Sequence, residues 1–464
     1  MRLLVFCAFL YLVGVTRAAP TTNTSNTTTS DSLKAPSFTT RTLWTIISSS
    51  VITLFACIYS AIHINIPSPK DSPYRILRRR LGIMIMALIA PELMVTWAMR
   101  QWFSACYVTR RFEKSGYPSV LPEQAQSEEK EPEAPEQHEN RFLRRLLIVL
   151  ATRILSVLMF LRRFPAVFAR WIQRSVKAYF SEQSEDDAWT KTHSFFVLMG
   201  GFMLYVDGEP YLTLRPDSIL KLMRDRCIDA PTLTANQIHD RSKGNAISKG
   251  LIMLQVAWFI MQLITRAIYH LETTQLEVGT LAFAVLNFIT YAVWWNKPLN
   301  VQRPHPVYWK STTSRPEDHV YVPESDQVAV WEILFLVIRP IDELIKLEYS
   351  DREVLVCAGL LMATIFGGIH CMAWFFAFHT YQEQVLWRMS AVAITCTPWL
   401  SLFTLYLLGV LDTPDAVSWP VCVLYAMLYI TARAILLVLM FTTLRNLPPD
   451  AYKTVSWITL VPHL

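Results

Sequence analysis

The chain has 464 residues, 52% of them hydrophobic, with a formal net charge of +6 and a mean hydropathy of +0.28. That composition excludes an ordinary soluble domain and a disordered chain, and suits a protein solvated largely by lipid. The modest basic excess comes with no nucleic-acid-binding module, and the 8 cysteines include no Cys-x-x-Cys pair and form no disulfide framework.

In chain order, MRLLVFCAFLYLVGVTRAAP has the layout of a signal peptide, with Arg2, an apolar core and small residues at Thr16 and Ala18; its predicted extent is residues 1–18, an uncleaved anchor being the alternative. Residues 19–43 form a polar lumenal tail with N-x-[ST] acceptors at Asn23 and Asn26, expected to be glycosylated. Crossing a bilayer takes roughly 20 apolar residues. The runs that qualify are Trp44–Ile64, Gly82–Tyr107, Gly250–Tyr269, Val278–Trp295, Val354–Phe378, Leu386–Leu411 and Trp419–Met440. The first two occupy residues 44–107 and the other five residues 250–464, the latter with a loop at Asn296–Glu353.

Residues 108–193 hold the acidic linker Pro122–Asn140 and a cationic segment, Arg141–Phe180, read as a helix lying on the membrane. Residues 194–249 are expected to be a small folded module: Val206–Pro210 (VDGEP) reads as a turn, and Thr234 with Gln237 as a capping box. The predicted fold is an all-α membrane bundle of about seven transmembrane helices, eight if Leu146–Leu161 also crosses, with a small α+β soluble module between spans two and three. Seven crossings with the N-terminus outside put the Arg78–Arg80 triplet inside, as the positive-inside rule wants. They also put the loop at Asn296–Glu353 outside despite Lys297, Arg303, Lys310, Arg315 and Lys346; an eighth span moves it inside.

The sequence has no P-loop, H-E-x-x-H or G-x-S-x-G, which excludes P-loop ATPases, zinc proteases of that type and serine hydrolases with a nucleophile elbow. His370 and His379 lie nine residues apart on opposite helix faces, so one metal cannot take both, and no metal or cofactor is expected. Haem would need a histidine from a second helix, for which His63 is the nearest candidate. The sharper reading is a polar layer, with Glu92 and Arg433 as an ion pair and His370 beside them as candidate catalytic groups. Gln262, Asn287 and Thr395 lie at a similar depth as candidate binding groups. Separate interhelical hydrogen bonds with no common site are the alternative. Pro91 and Pro398 each remove a helical hydrogen bond, and Arg388 is expected to snorkel to the interface.

Strings including LWTIISSSVITLFACIYSAIHINIPSP, RRRLGIMIMALIAPELMVTWAMRQW, THSFFVLMGG, DRSKGNAISKGL, TLAFAVLNFITYAVWWNKPLN and GGIHCMAWFFAF resemble a family of fungal multi-pass membrane proteins with no established activity. The resemblance implies a fungal source and draws attention to His370. His379 stands where the family pattern F-x-F-P has proline.

The first functional reading is a membrane protein of the secretory pathway, in the endoplasmic reticulum or plasma membrane, with a buried polar site handling a lipophilic small molecule. Its partners are membrane lipid and that molecule, and an enzyme of lipid or specialised metabolism is one form of it. A non-catalytic transporter or sensor, and a membrane scaffold built on the module and the cationic helix, are the alternatives.

Overall fold

A computed structural model describes residues 38–61, 63, 65–67, 72–117, 189–242, 246–310, 349–410 and 415–455. The signal-peptide segment, Asn23, Asn26, the acidic linker, the cationic segment with its eighth-span reading, and most of the loop after residue 310 lie outside the described residues.

Within them the chain is mostly helical. Strand β1 (Phe38–Thr40) leads into α1 (Leu43–Ala61), followed by α2 (Pro73–Ile89) and α3 (Pro91–Lys114). A module follows, of α4 (Lys191–Leu198), β2 (Phe202–Val206), β3 (Glu209–Thr213), α5 (Pro216–Arg224) and α6 (Ala235–Arg241). The bundle resumes with α7 (Ala246–Ile268) and α8 (Gln275–Val293), then strand β4 (His305–Tyr308). It ends with α9 (Tyr349–Cys371), α10 (Tyr381–Val410), α11 (Asp415–Thr442) and strand β5 (Lys453–Val455).

Among the described residues three helical stretches are long and apolar enough to cross a membrane: Gln275–Val293, Val354–Phe375 and Val417–Arg445, with a fourth if α2 and α3 count as one. The seven-span expectation is therefore corrected. Its second run, Gly82–Tyr107, is not one helix: Ala90 leaves helical geometry (φ −139°, ψ 72°), Pro91 starts a new helix, and the axis turns by 116°. A residue before proline is driven out of the α region by the proline ring, which accounts for the break. The runs near residues 44–64 and 250–269 form shorter apolar helices, and Ser390, Thr395, Thr397 and Thr404 dilute α10.

The helices share two ends. At one, β1 pairs antiparallel with β5, Phe38 opposite Val455 and Thr40 opposite Lys453, so the flank before α1 is bonded to the flank after α11. Arg41 seals this clamp: its Nε donates to Ala451 O (2.8 Å), and its Nη1 and Nη2 donate to the two carboxylate oxygens of Glu277 (2.5 and 3.1 Å). Glu277 also caps α8, accepting from the Thr274 amide and hydroxyl (2.8 and 3.0 Å). Arg266, at the end of α7, donates to the carbonyls of Glu272, Asp450, Ala451 and Lys453.

At the other end sits the module. Its three-stranded sheet has the order β3-β2-β4, and β4, which the sequence reading left inside a loop, runs parallel to β2. Asp207 (φ 51°) and Gly208 (φ 85°) close the β2–β3 hairpin, the paired left-handed conformations that a tight primed turn requires. Thr234 and Gln237 cap α6 reciprocally. The far end of α3 enters the module core, where Phe112 stacks on Trp189 with ring centroids 3.8 Å apart. The Thr109 and Ser194 hydroxyls meet at 2.8 Å there, and the Trp189 indole donates to Ser194. Cys227, expected in a polar setting, is buried in the same core. The start of α2 faces this end as well, Arg80 bonding Asn300 just after α8. Thus α2 and α3 form a V whose arms open toward the module and whose tip, Ala90–Glu92, lies inside the bundle.

His193 is held neutral in the module. Its Nδ1 accepts from the Thr190 amide (3.1 Å) and its Nε2–H donates to Leu233 O (2.6 Å). Burial pushes its pKa below the ordinary 6.5, only partly offset by the Leu233 carbonyl. Because the folded value lies below the unfolded one, the unfolded chain takes up the extra proton, and this contribution is complete above about pH 6.5 and lost as pH falls. Hydrogen exchange in peptides spanning Lys191–Val206 should therefore speed up between about pH 7 and pH 5 after correction for intrinsic rates, and His193→Gln should flatten that trend.

The Arg41–Glu277 pair is nearly dry, with side-chain exposures of 9% and 3%. Glu277→Gln should lower unfolding stability in detergent by about 3 kcal/mol by stranding the guanidinium, and the double change Arg41→Met/Glu277→Leu should recover much of it.

Candidate functional site

The tip of the V meets α8, α9 and α11. Arg433, on α11, is fully buried, its guanidinium resting against the rings of Phe283 on α8 (4.7 Å) and Phe366 on α9 (4.5 Å), which meet each other edge to face. Aromatic faces partly replace the hydration this cation has lost. Its Nη1 donates to His370 Nε2 at 3.1 Å, and its Nη2 reaches Leu88 O, one of the carbonyls left open where α2 ends, at 3.5 Å.

The histidine tautomer follows from its partners. Nδ1 of His370 lies 2.8 Å from Phe366 O, which can only accept, so Nδ1 carries the proton. Arg433 can only donate, so Nε2 is bare and the imidazole neutral. Trp387, fully buried on α10, donates to His370 O (3.1 Å) and fixes the end of α9. His370 thus orients Arg433, with a tautomer opposite to that of His193.

Glu92 is the second residue of α3, where the open amides of a helix start favour a carboxylate. It is buried and shares electrostatic contact with Tyr429 and Arg433, but it forms no direct ion pair with Arg433 among the described residues. The expected pair is corrected to an arrangement in which Tyr429 faces both groups. Glu92 and Tyr429 face each other as hydrogen-bond partners, and Arg433 Nε is buried and makes no hydrogen bond among the described residues.

The other candidates do not join it. Asn287 donates to Phe283 O in its own helix (2.9 Å), and Thr395 donates to Ala391 O (2.7 Å) while packing so closely on Gly367 that a Cβ there would come within 2.0 Å of its hydroxyl. Gln262 lines a separate cavity of about 170 Å³ at the clamp end with Arg41, Ser49, Thr265, Arg266 and Thr454. His379 bonds Asn446 at the surface of that end. His63 lies at the module end beside Trp294, roughly 16 Å along α8 from Phe283, so it cannot share a haem with His370. Among the described residues no group of three His, Cys, Asp or Glu side chains gathers for a metal. Arg388 donates to Trp374 O (3.2 and 2.9 Å) and stacks on its indole.

Two residues went unread in the sequence. Tyr429 lies four positions before Arg433, the helical spacing that stacks side chains on one face, and that signal was available. Lys297 looked like a loop charge after two tryptophans. It is buried, its Nζ donating to His63 O (2.5 Å) and Gln101 Oε1 (2.8 Å) and lying 4.6 Å from the Trp294 ring centroid. Burial holds its amine well below the usual lysine range. It ties α1, α3 and α8 together at the module end.

The sequence matches the model of a family described as a family of unknown function (DUF8562) over residues 5–151 and 166–320. Glu92 and Lys297 fall within the matched residues, and His370, Tyr429 and Arg433 beyond them. No curated protein and no solved structure matches.

His370→Ala should cost about 2–3 kcal/mol in unfolding measured in detergent, because Arg433 Nη1 loses its acceptor; His370→Gln, which keeps an acceptor oxygen, should recover part of it.

Proposed function

We propose that this chain, which belongs to the DUF8562 family of unknown function, is a multi-pass membrane protein whose cluster at the α2–α3 break handles a lipophilic small molecule, in fungal lipid or specialised metabolism. The observation that supports the reading is the gathering of buried Glu92, Tyr429, His370 and Arg433 at the helix break, with Arg433 Nε left without a hydrogen-bond partner among the described residues. Buried structural polar groups find partners. Elsewhere in this protein His193, Glu277, Arg266 and Lys297 do so. A cluster of carboxylate, phenol, guanidinium and neutral imidazole has the groups for proton transfer and for stabilising developing negative charge. A transporter or sensor that binds without reacting is the second reading, favoured by the broken helix, a device that membrane binding sites use to bring open backbone groups to a ligand.

For the membrane placement we propose that, besides the three stretches long and apolar enough to cross, the shorter helices α1 and α7 and the diluted α10 also cross, and that α2–α3 dips in from the module side and returns. Six crossings leave the flanks of β1 and β5 on one face, in keeping with their pairing. Arg75, Arg78, Arg79, Arg80, Arg111 and Lys310 lie toward the module end, which supports a cytosolic placement of that face by the positive-inside rule. The opposite face is lumenal, in keeping with a signal peptide at residues 1–18 and glycosylation at Asn23 and Asn26 in a secretory-pathway membrane. The loop after α8, misplaced by a seven-span count, then sits with the other basic segments.

Glycosylation acceptors introduced near Pro304 should stay unmodified while acceptors added after Val455 are modified; the reverse pattern would remove this placement. Glu92→Gln should change the level of a lipophilic metabolite about tenfold or more at normal protein abundance, and an unchanged profile would remove the small-molecule reading.

A further inference from the structure

We infer that the cavity at the clamp end is a binding site for the phosphodiester of a membrane phospholipid. The inference is independent of the cluster at the α2–α3 break and rests only on the proposed placement of α1 and α7 in the membrane. At about 170 Å³ the cavity is far larger than a single water needs. Arg41 and Arg266 line it together with Gln262 and several hydroxyl side chains, and no carboxylate does.

The two guanidiniums are held close against their mutual repulsion. Arg41 Nε and Arg266 Nη2 both donate to Ala451 O (2.8 and 3.2 Å), so they lie no further apart than those two bonds joined end to end. Glu277 neutralises Arg41. Arg266, which is buried, has only backbone carbonyls as direct partners among the described residues, and a carbonyl dipole solvates a charge without cancelling it. The acids within its electrostatic reach are engaged elsewhere. Glu277 is paired with Arg41 and Asp450 with Lys453 (2.8 Å), while Glu272 is exposed and screened by water. A guanidinium carries five N–H bonds. Among the described residues one stays uncommitted on Arg266 Nη1, and one each on Nη1 and Nη2 of Arg41. A monoanion therefore meets both an unbalanced charge and spare donors.

A phosphodiester carries one negative charge on tetrahedral oxygens, which donors from the α1 and α7 sides reach from different directions. An ammonium alone would face two cations, and an uncharged head group leaves Arg266 uncompensated. The surroundings favour a lipid over free phosphate as the bearer of that group. One turn toward the module from Ser49 and Gln262, Ile52 and Trp258 are exposed and apolar, and Phe55 and Leu254 extend the two strips. Gln255 donates to Thr53 (3.1 Å) and ties α1 to α7 beyond the cavity. Acyl chains then lie along the outer faces of this pair while the phosphate enters the cavity at its end.

The test titrates the purified full chain, in phospholipid-free detergent micelles, with three probes that carry the same photoactivatable acyl chain: phosphatidylcholine, diacylglycerol and the free fatty acid. Phosphatidylcholine should label peptides of α1 and α7 saturably, and diacylglycerol only in proportion to its concentration. Gln262→Leu removes an amide donor and Ser49→Leu fills the cavity, both without touching the clamp bonds. Each should weaken the saturable labelling about tenfold at unchanged thermal stability. Equal labelling by diacylglycerol, or stronger labelling by the fatty acid, overturns the phosphodiester assignment. Inorganic phosphate competing as well as unlabelled phosphatidylcholine overturns the lipid as its source. Saturable labelling that neither substitution changes puts the lipid elsewhere and overturns the site while leaving the membrane placement standing. No label on α1 or α7 from any probe removes that placement, and the lipid site with it.

Discussion

A guanidinium buried among apolar helices must replace the hydration it gave up, and the central part of this fold is arranged around that demand. Arg433 draws on three other helices: the rings of Phe283 and Phe366, which meet edge to face on one side of it, the bare nitrogen of His370 at one edge, and the Leu88 carbonyl at another. The last is exposed because Pro91 stops α2 from continuing into α3. The broken helix and the buried cation therefore explain each other, since the break frees a carbonyl and the arginine needs acceptors. The same turn of chain brings Glu92, at the start of α3, into the cluster.

Most helical segments were legible from apolar runs, because a helix in oil must bury its backbone polarity over a length set by the membrane. Their number of crossings was not. The run Gly82–Tyr107 is continuous in hydropathy, and the chain reverses inside it at one residue before a proline. Hydropathy reports solvent, not direction, and counting the run as a span inverts the side of everything after it. Strand β4 was hidden for a related reason: it is four residues long and belongs to a sheet whose other strands precede two helices. No local period marks a strand whose partners are distant.

The site was partly legible. Glu92, His370 and Arg433 stood out because ionisable groups in apolar runs are costly, and the structure gathers those three. Depth alone also selected Asn287 and Thr395, whose polar atoms turn back to their own helices, a choice that depends on rotamer rather than on position. Tyr429 was passed over because a tyrosine in an apolar run is ordinary. Only its place one turn before Arg433 distinguishes it.

The clamp between β1 and β5 also governs the order of events during synthesis. Its halves lie far apart in sequence, so β1 leaves the ribosome well before β5 and waits, its edge open, until the residues after α11 follow. Arg41 and Arg266 wait with it, since the carbonyls of Asp450, Ala451 and Lys453 that receive them are made later. Until the residues after α11 arrive, two cations lack part of their coordination, so the correct neighbour of β1 is set by the arrival of its partner rather than by any nearby stretch of chain.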